Sequence, residues 1–464
     1  MAEVQSERRG PMLFTVSMGA FMATLDTSIV NVALPHITQD LETSLAAISW
    51  VMMAYLISTA SLLFISGRLG DMLAPGRLFL AGVVIFGLAS AACGISRNAG
   101  GLVFFRAIQG MGGALMLGLA PKIITTIFDE GERGFALGLY STAFASGISI
   151  GAPLGGFITS AFGWPYVFFL NLPICGAVFL VGSHRLNALP SAATWRRHAL
   201  DWPGGLLLMI SISLLTWALT QVRSQGWLAG RTLTTLGAAV CMFILLLLVE
   251  RHQETPLLHR ELWGSQAFRL GSAVTVLNFA AVMGTFFLLP FFLVEIFLLP
   301  IEAVGWLLAA ISISSALVSP VGGFLADRWN NLTVLRLGAA LIVLGLGTLM
   351  WLRAETPLTS VALVLAIVGT GFGLFQAPNL NDVLQGIRPE MLGLAAGTNS
   401  VLKNIGSLLG IALMVTVAAV ADQPQANLEE GLCLGLPCFQ RAFLLATGIA
   451  ALNLLLNLLP RRRD

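Results

Sequence analysis

The strongest constraint on this chain is the recurrence of apolar runs, each long enough to cross a hydrocarbon layer of about 30 Å. They fall at 12–34, 45–66, 78–96, 102–127, 134–160, 164–183, 203–221, 230–249, 270–294, 303–325, 333–352, 359–381, 393–421 and 440–459. With no water in such a layer, backbone donors and acceptors must be satisfied within each segment, so the runs read as helices. The chain is 56% hydrophobic and 10% charged, which excludes an ordinary soluble domain. The expected fold class is an all-α polytopic membrane protein with about fourteen spans.

Charge in the connecting loops sets the orientation. Arg8, Arg9, Arg68, Arg77, Arg133, Arg185, Arg196, Arg197, Arg251, Arg260, Arg269, Arg328, Arg336, Arg388 and Arg461 to Arg463 fall on one side. The other side receives only Arg97, Arg223, Arg231 and Arg353, with Arg441 at the start of the last run. The arginine-rich side is expected to be cytoplasmic, and both termini lie there. A missed span would scramble this alternation from that point on. The first run is too long for a secretory signal, carries Asp26, and is expected to be retained as a span. No loop is long enough for a soluble domain, and no P-loop, metal cluster or catalytic constellation is visible, so an enzyme is not expected. No basic run suggests nucleic acid. Cys93, Cys175 and Cys241 lie in apolar stretches and read as small hydrophobes. Cys433 and Cys438 flank a tight turn; they would pair if the loop lies outside the cytoplasm and stay free thiols otherwise.

Asp26 stands where its surroundings should exclude it. A helix from Met12 places its carboxyl roughly 21 Å along, still inside the apolar layer. A charge there costs on the order of 3 kcal/mol or more, which makes the residue a functional candidate. Ser17, Thr24, Ser28 and Asn31 fall on the opposite face, so this helix is expected to be enclosed. The fourth run holds RAIQGMGGA, with Arg106, Gln109, Gly110 and Gly113 on one face. Counted from the outer surface, Arg106 lies roughly 7 Å deep and Asp26 roughly 9 Å. Matched depth predicts a proton-sensitive pair, direct or through water; the alternative is a permanent ion pair that only ties helices together.

Other runs carry weaker signals. Gly147, Gly151, Gly155 and Gly156 with Pro153 form a small-residue seam in the fifth run, suited to close helix contact and a kink. Asn399 and Lys403 share a face of the thirteenth, where the lysine contacts substrate, pairs with an acid, or donates to carbonyls. Gln376 and Asn379, beside Pro378, are placed in the same candidate cavity, as are Asn31 and Gln109. GRLGDM at 67–72 and GFLADR at 323–328 repeat at equivalent exits, which suggests two related halves with a site near the midplane between them.

Taken together these runs resemble the major facilitator superfamily, and within it the fourteen-helix drug:proton antiporter family. LDTSIVNVALPHI, GRLGDMLAPGR, RAIQGMGG and GAPLGG are similar to its motifs in helix one, the loop after helix two, helix four and helix five. WPYVFFLNLPI and DWPGG look like the family's helix-six and helix-seven starts. Met72, Ala74, Pro75, His36, Lys403 and Asn404 depart from its commoner residues. The resemblance implies a major facilitator fold of two six-helix bundles, 1–185 and 267–464, with two extra helices in 186–266. It implies a bacterial inner-membrane exporter of small amphipathic molecules and drugs, driven by entering protons through alternating access, with no cofactor. Asp26 and Arg106 would couple the proton, while Gly67, Asp71, Arg77, Asp327 and Arg328 would latch the cytoplasmic side. Expected partners are cargo, protons and lipid, with a periplasmic adaptor left open. The alternatives are a carrier of one lipid, siderophore or metabolite, and a membrane receptor that does not translocate.

Overall fold

The computed structural model describes residues 2–186, 202–226, 228–251, 260–388, 391–419 and 435–459. Its helices are α1 (Ala2–Asp40), α2 (Leu45–Met72), α3 (Pro75–Gly94), α4 (Ala99–Ile127), α5 (Glu130–Phe162), α6 (Pro165–Phe169), α7 (Asn171–Leu186), α8 (Trp202–Gln225) and α9 (Gly230–Glu250). They continue as α10 (Arg260–Gly264), α11 (Gln266–Glu295), α12 (Ile301–Arg328), α13 (Asn331–Leu349), α14 (Leu358–Leu384), α15 (Leu392–Ala419) and α16 (Leu436–Leu458). Among the described residues fourteen stretches are long and apolar enough to cross a membrane. The sequence-based count therefore stands.

Local chemistry sets several helix starts. Ser44, Asn98, Ser265 and Asn330 each accept a hydrogen bond from a backbone N–H of the first turn, satisfying donors that a helix start leaves open. Gly163, at φ +92°, ends α5 in a conformation that disfavours any side chain. The indole of Trp164 then donates to the Asp40 carboxylate at 2.7 Å and ties that turn to the end of α1.

One expected span differs from the reading of 164–183 as continuous. It is interrupted at Leu170, between α6 and α7. Pro173 lies in the first turn of α7 and has no N–H to offer the carbonyl of Phe169, which relaxes the helix there.

The packing repeats. α1 packs on α5 and α7, α2 on α4, and α3 on α4 and α7; α11 packs on α15 and α16, α12 on α14, and α13 on α14 and α16. The same partner pattern thus occurs twice. Across the two groups the contacts pair α5 with α12 and α2 with α15, which are equivalent under an exchange of halves. α8 lies against both α2 and α15 and carries α9 on its outer side. Trp50 and Trp217 rings meet at 5.4 Å, and the Thr416 hydroxyl donates to the Leu219 carbonyl at 2.8 Å, so α8 touches both groups.

The groups meet from the outer ends inward, where outer means the side away from the arginine-rich loops. A Cβ on Gly156 would lie 2.6 Å from the Ile301 carbonyl oxygen, and one on Gly305 would lie 2.6 Å from that of Ala152. Deeper, Ser149 donates to the Ser312 carbonyl at 3.2 Å, and Asn31 donates to that of Phe286 at 2.8 Å. These contacts close the outer side.

Candidate functional site

α1, α2, α3, α4 and α7 converge on one buried charged centre. Asp26 and Arg106 are both 0% exposed, and Arg106 Nη1 lies 2.5 Å from Asp26 Oδ2. The other carboxylate oxygen, Oδ1, accepts from Gln109 Nε2 at 2.9 Å and from Asn171 Nδ2 at 2.8 Å. Asn171 Nδ2 also lies 2.9 Å from Ser90 Oγ, which itself donates to the Phe168 carbonyl. The guanidinium has further supports: its Nε donates to the Val51 carbonyl at 3.1 Å and Nη1 to Gln109 Oε1 at 2.8 Å. The Tyr55 ring faces it at 4.5 Å.

The neighbouring glycine run explains how this fits. A Cβ on Gly110 would come within 2.5 Å of the Tyr55 carbonyl oxygen, so α4 can lie against α2 only with glycine there. Buried charges persist only when paired and hydrogen-bonded, and both conditions are met. The centre is sealed in this conformation.

The second polar face of α1 does a different task from the cavity lining expected of Asn31. Thr24 donates to the Phe144 carbonyl at 2.8 Å and Ser28 to that of Ile148 at 2.9 Å, both on α5. Asn31 is buried in the contact to α11 already described. α5 answers with its glycines: Gly147 meets Phe21, Thr24 and Leu25, Gly151 meets Leu25 and Ser28, Gly155 meets Ile29, and Gly156 turns to α12. Pro153 sits within the α5 helix beside Gly305.

The other half of the molecule holds a second polar centre, built on a hydroxyl and amides. Thr275 Oγ1 accepts from Asn379 Nδ2 at 2.6 Å and donates to Asn399 Oδ1 at 2.9 Å, joining α11, α14 and α15. Both side-chain polar atoms of the buried Asn278 lack a hydrogen-bond partner among the described residues. Lys403 is half-buried, with Nζ 5.5 Å from the centre of the Phe279 ring, and no carboxylate pairs with it among the described residues. Gln376 is half-buried on α14. The residues expected to line a single cavity thus separate: Gln109 belongs to the Asp26 centre, Asn31 to the closed outer contact, and Asn379 and Asn399 to the second centre.

Of the expected latch, Gly67 has open space around it, Arg77 is exposed, and the Arg328 guanidinium lies 4.5 Å over the Phe324 ring. The side chains of Asp71 and Asp327 lie outside the described residues, as does Cys433 and with it the expected pairing to Cys438. Sequence reasoning missed Asn171, Ser90 and Tyr55 around Asp26. It also missed Asp382, only 1% exposed near the inner end of α14. An asparagine between Phe169 and Pro173 was the available signal for the first; the second resembles an ordinary interfacial acid in sequence.

The known proteins like this chain agree with the architecture. The sequence pattern of the Major Facilitator Superfamily matches residues 16–411. The methylenomycin A resistance protein of Streptomyces coelicolor is 31% identical over 460 residues, covering 98% of this chain and 94% of that protein. The riboflavin transporter RibZ of Clostridioides difficile is 30% identical, covering 86% of each. The tetracenomycin C resistance and export protein of Streptomyces glaucescens is 30% identical over 89% of this chain and 76% of its own length. Among solved structures, the nucleoside transporter NupG superposes with a TM-score of 0.68 at 13% identity, over 96% of this chain and 98% of that one, a likeness of fold alone.

Proposed function

This chain belongs to the Major Facilitator Superfamily as a multi-pass membrane transporter, and from that premise we propose that it exports small amphipathic molecules in exchange for protons. The observation that carries the reading is the Asp26–Arg106 centre, a carboxylate held by three side chains deep in one half. Protonating Asp26 removes the attraction to the guanidinium. The Val51 carbonyl, Gln109 and the Tyr55 ring still hold the arginine, but its buried charge is left without the carboxylate, which disfavours the sealed arrangement. The change of state therefore biases the packing of the helices that carry the centre.

The same helix can carry the consequence outward. Asn31, five residues beyond Asp26, bonds across to α11, and Thr24 and Ser28 bond to α5, which in turn packs on α12. A small shift of α1 on loss of the ion pair would alter the contacts that close the outer side. Two discrete packings of this kind are what alternating access needs. Relatives named for methylenomycin A and tetracenomycin C resistance support cargo of drug size.

The test is efflux of a fluorescent amphipath from cells expressing Asp26→Asn at the wild-type protein level. Efflux should collapse to the background of cells without the protein; undiminished proton-driven efflux rejects the assignment.

A second reading, a carrier of one metabolite, is favoured by Lys403 beside Phe279, which suits a single anionic or neutral aromatic ligand better than assorted cations. The similarity to a riboflavin transporter points the same way. A thermal-shift panel separates the two: many weak stabilisers indicate broad export, one strong stabiliser a dedicated carrier.

A further inference from the structure

The glycine contacts align the two halves on each other. A Cβ on Gly147 of α5 would meet Phe21 and Thr24 of α1, and one on Gly406 of α15 would meet Val276 and Phe279 of α11. One turn on, Gly151 meets Leu25 and Gly410 meets Ala280. Both contacts give the same register, so Phe279 occupies the position of Thr24, and Lys403, three residues before Gly406, that of Phe144. Where the first half ties α1 to α5 through the Thr24 hydroxyl and the Phe144 carbonyl, the second half places an aromatic ring and a cation, 5.5 Å apart.

Helical phase shows which way these side chains point. Thr416, which bonds to α8, lies about 140° round α15 from Lys403, and its counterpart Phe157, exposed to the bilayer, lies equally far from Phe144 on α5. Lys403 and Phe144 thus point the other way, into the space between the halves. Ser141 and Ser400, one turn nearer the inner end, are exposed, so this space is open inward. The contacts of Asn31 with Phe286 and of Ser149 with Ser312 close it outward.

We propose that this space takes a planar aromatic anion as cargo, its acidic group on Lys403 and its ring against Phe279 and the facing Phe144, an assignment that deepens the exporter reading and rests on it. A charge inside a span is costly unless compensated. Asp26 and Arg106 compensate each other, whereas Lys403 lies over the Phe279 ring with no carboxylate paired to it among the described residues. An anionic cargo supplies the missing charge, and a cationic one adds to the surplus. The Phe372 ring meets that of Phe279 edge to face at 5.3 Å and holds it as a fixed wall. Gln376, one turn from Phe372 and half-buried, offers its amide to a polar substituent.

The full chain, purified in detergent, is titrated calorimetrically with 2-naphthoate, 2-naphthamide, 2-naphthylmethylammonium and decalin-2-carboxylate. The wild type should bind the naphthoate about tenfold tighter than the neutral amide, and the ammonium less tightly still. It should bind the naphthoate about fivefold tighter than the saturated acid, which has the charge without the ring faces. Lys403→Gln should make naphthoate and amide equal, and Lys403→Arg should restore the difference. Phe144→Leu, in the other half, should remove most of the advantage over the saturated acid. A wild type that binds the naphthoate no tighter than the amide, or not at all, overturns the proposal, as does an anion preference that survives in Lys403→Gln. An unchanged preference in Phe144→Leu overturns the two-walled arrangement. Proton exchange is read by efflux from Asp26→Asn rather than by this order of affinities, so failure of one is distinguishable from failure of the other.

Discussion

The two halves repeat each other in helix packing and differ in chemistry. In the first, a carboxylate and a guanidinium are sealed together toward the outer end, with every charge compensated. In the second, a hydroxyl and two amides meet toward the inner end, Asn278 is left without a partner among the described residues, and a lysine lies over an aromatic ring. A shared scaffold therefore does not impose a shared function on equivalent helices. The first centre has the chemistry of a switch, since one proton changes its charge balance. The second has that of a recognition surface, with polar atoms still available.

Mutations can break or sharpen this contrast. The largest effect is expected from Arg106→Ala, which leaves the Asp26 carboxylate buried with only amide donors; the cost is about 3–5 kcal/mol. Thermal unfolding should drop steeply and transport should vanish, whereas a near-normal midpoint would mean that the pair contributes little. Next, Gly151→Leu forces a side chain where even a Cβ would sit 2.6 Å from that of Ser28. Overpacking of this kind costs about 1–3 kcal/mol, and exchange of cargo across vesicles should fall roughly tenfold or more as α1 and α5 are pushed apart. Lys403→Gln should weaken cargo binding several-fold while leaving the pH dependence of transport in place; a changed pH profile would move the lysine into the coupling machinery. The smallest effect belongs to Thr275→Val, which removes one hydrogen-bonding hydroxyl and should cost about 1 kcal/mol in stability, read as a shift of about one degree in the unfolding midpoint.

The legibility of these two centres in the sequence was unequal for physical reasons. Asp26 and Arg106 stand out because a charge inside an apolar run is expensive, and their depths follow from helix rise alone. Gln109 was visible as a neighbour of Arg106, yet helical phase gives a face without saying which helix lies opposite, so its place against Asp26 rather than in a cavity could not be read. Thr24 and Ser28 bear out the enclosed helix expected of α1, whereas Asn31, expected in the cavity, shows the same limit: it donates to a backbone carbonyl of the packed α11. Asn171 depends on the interruption at Leu170, which periodicity smoothed into a continuous span. Asp382 was overlooked because an acid two residues from a helix end is ordinarily solvated, and its burial arises only from tertiary packing. The repeat of packing partners between halves was faintly visible in two short motifs and becomes plain only in three dimensions.

Exchange of cargo for protons requires that cargo binding and the protonation of Asp26 be linked. The direct measurement is proton release from purified protein in weakly buffered solution when the best-bound amphipath of the thermal-shift panel is added. Wild-type protein should release protons on binding, and Asp26→Asn should bind the same compound and release none. Equal release from both proteins would contradict the account.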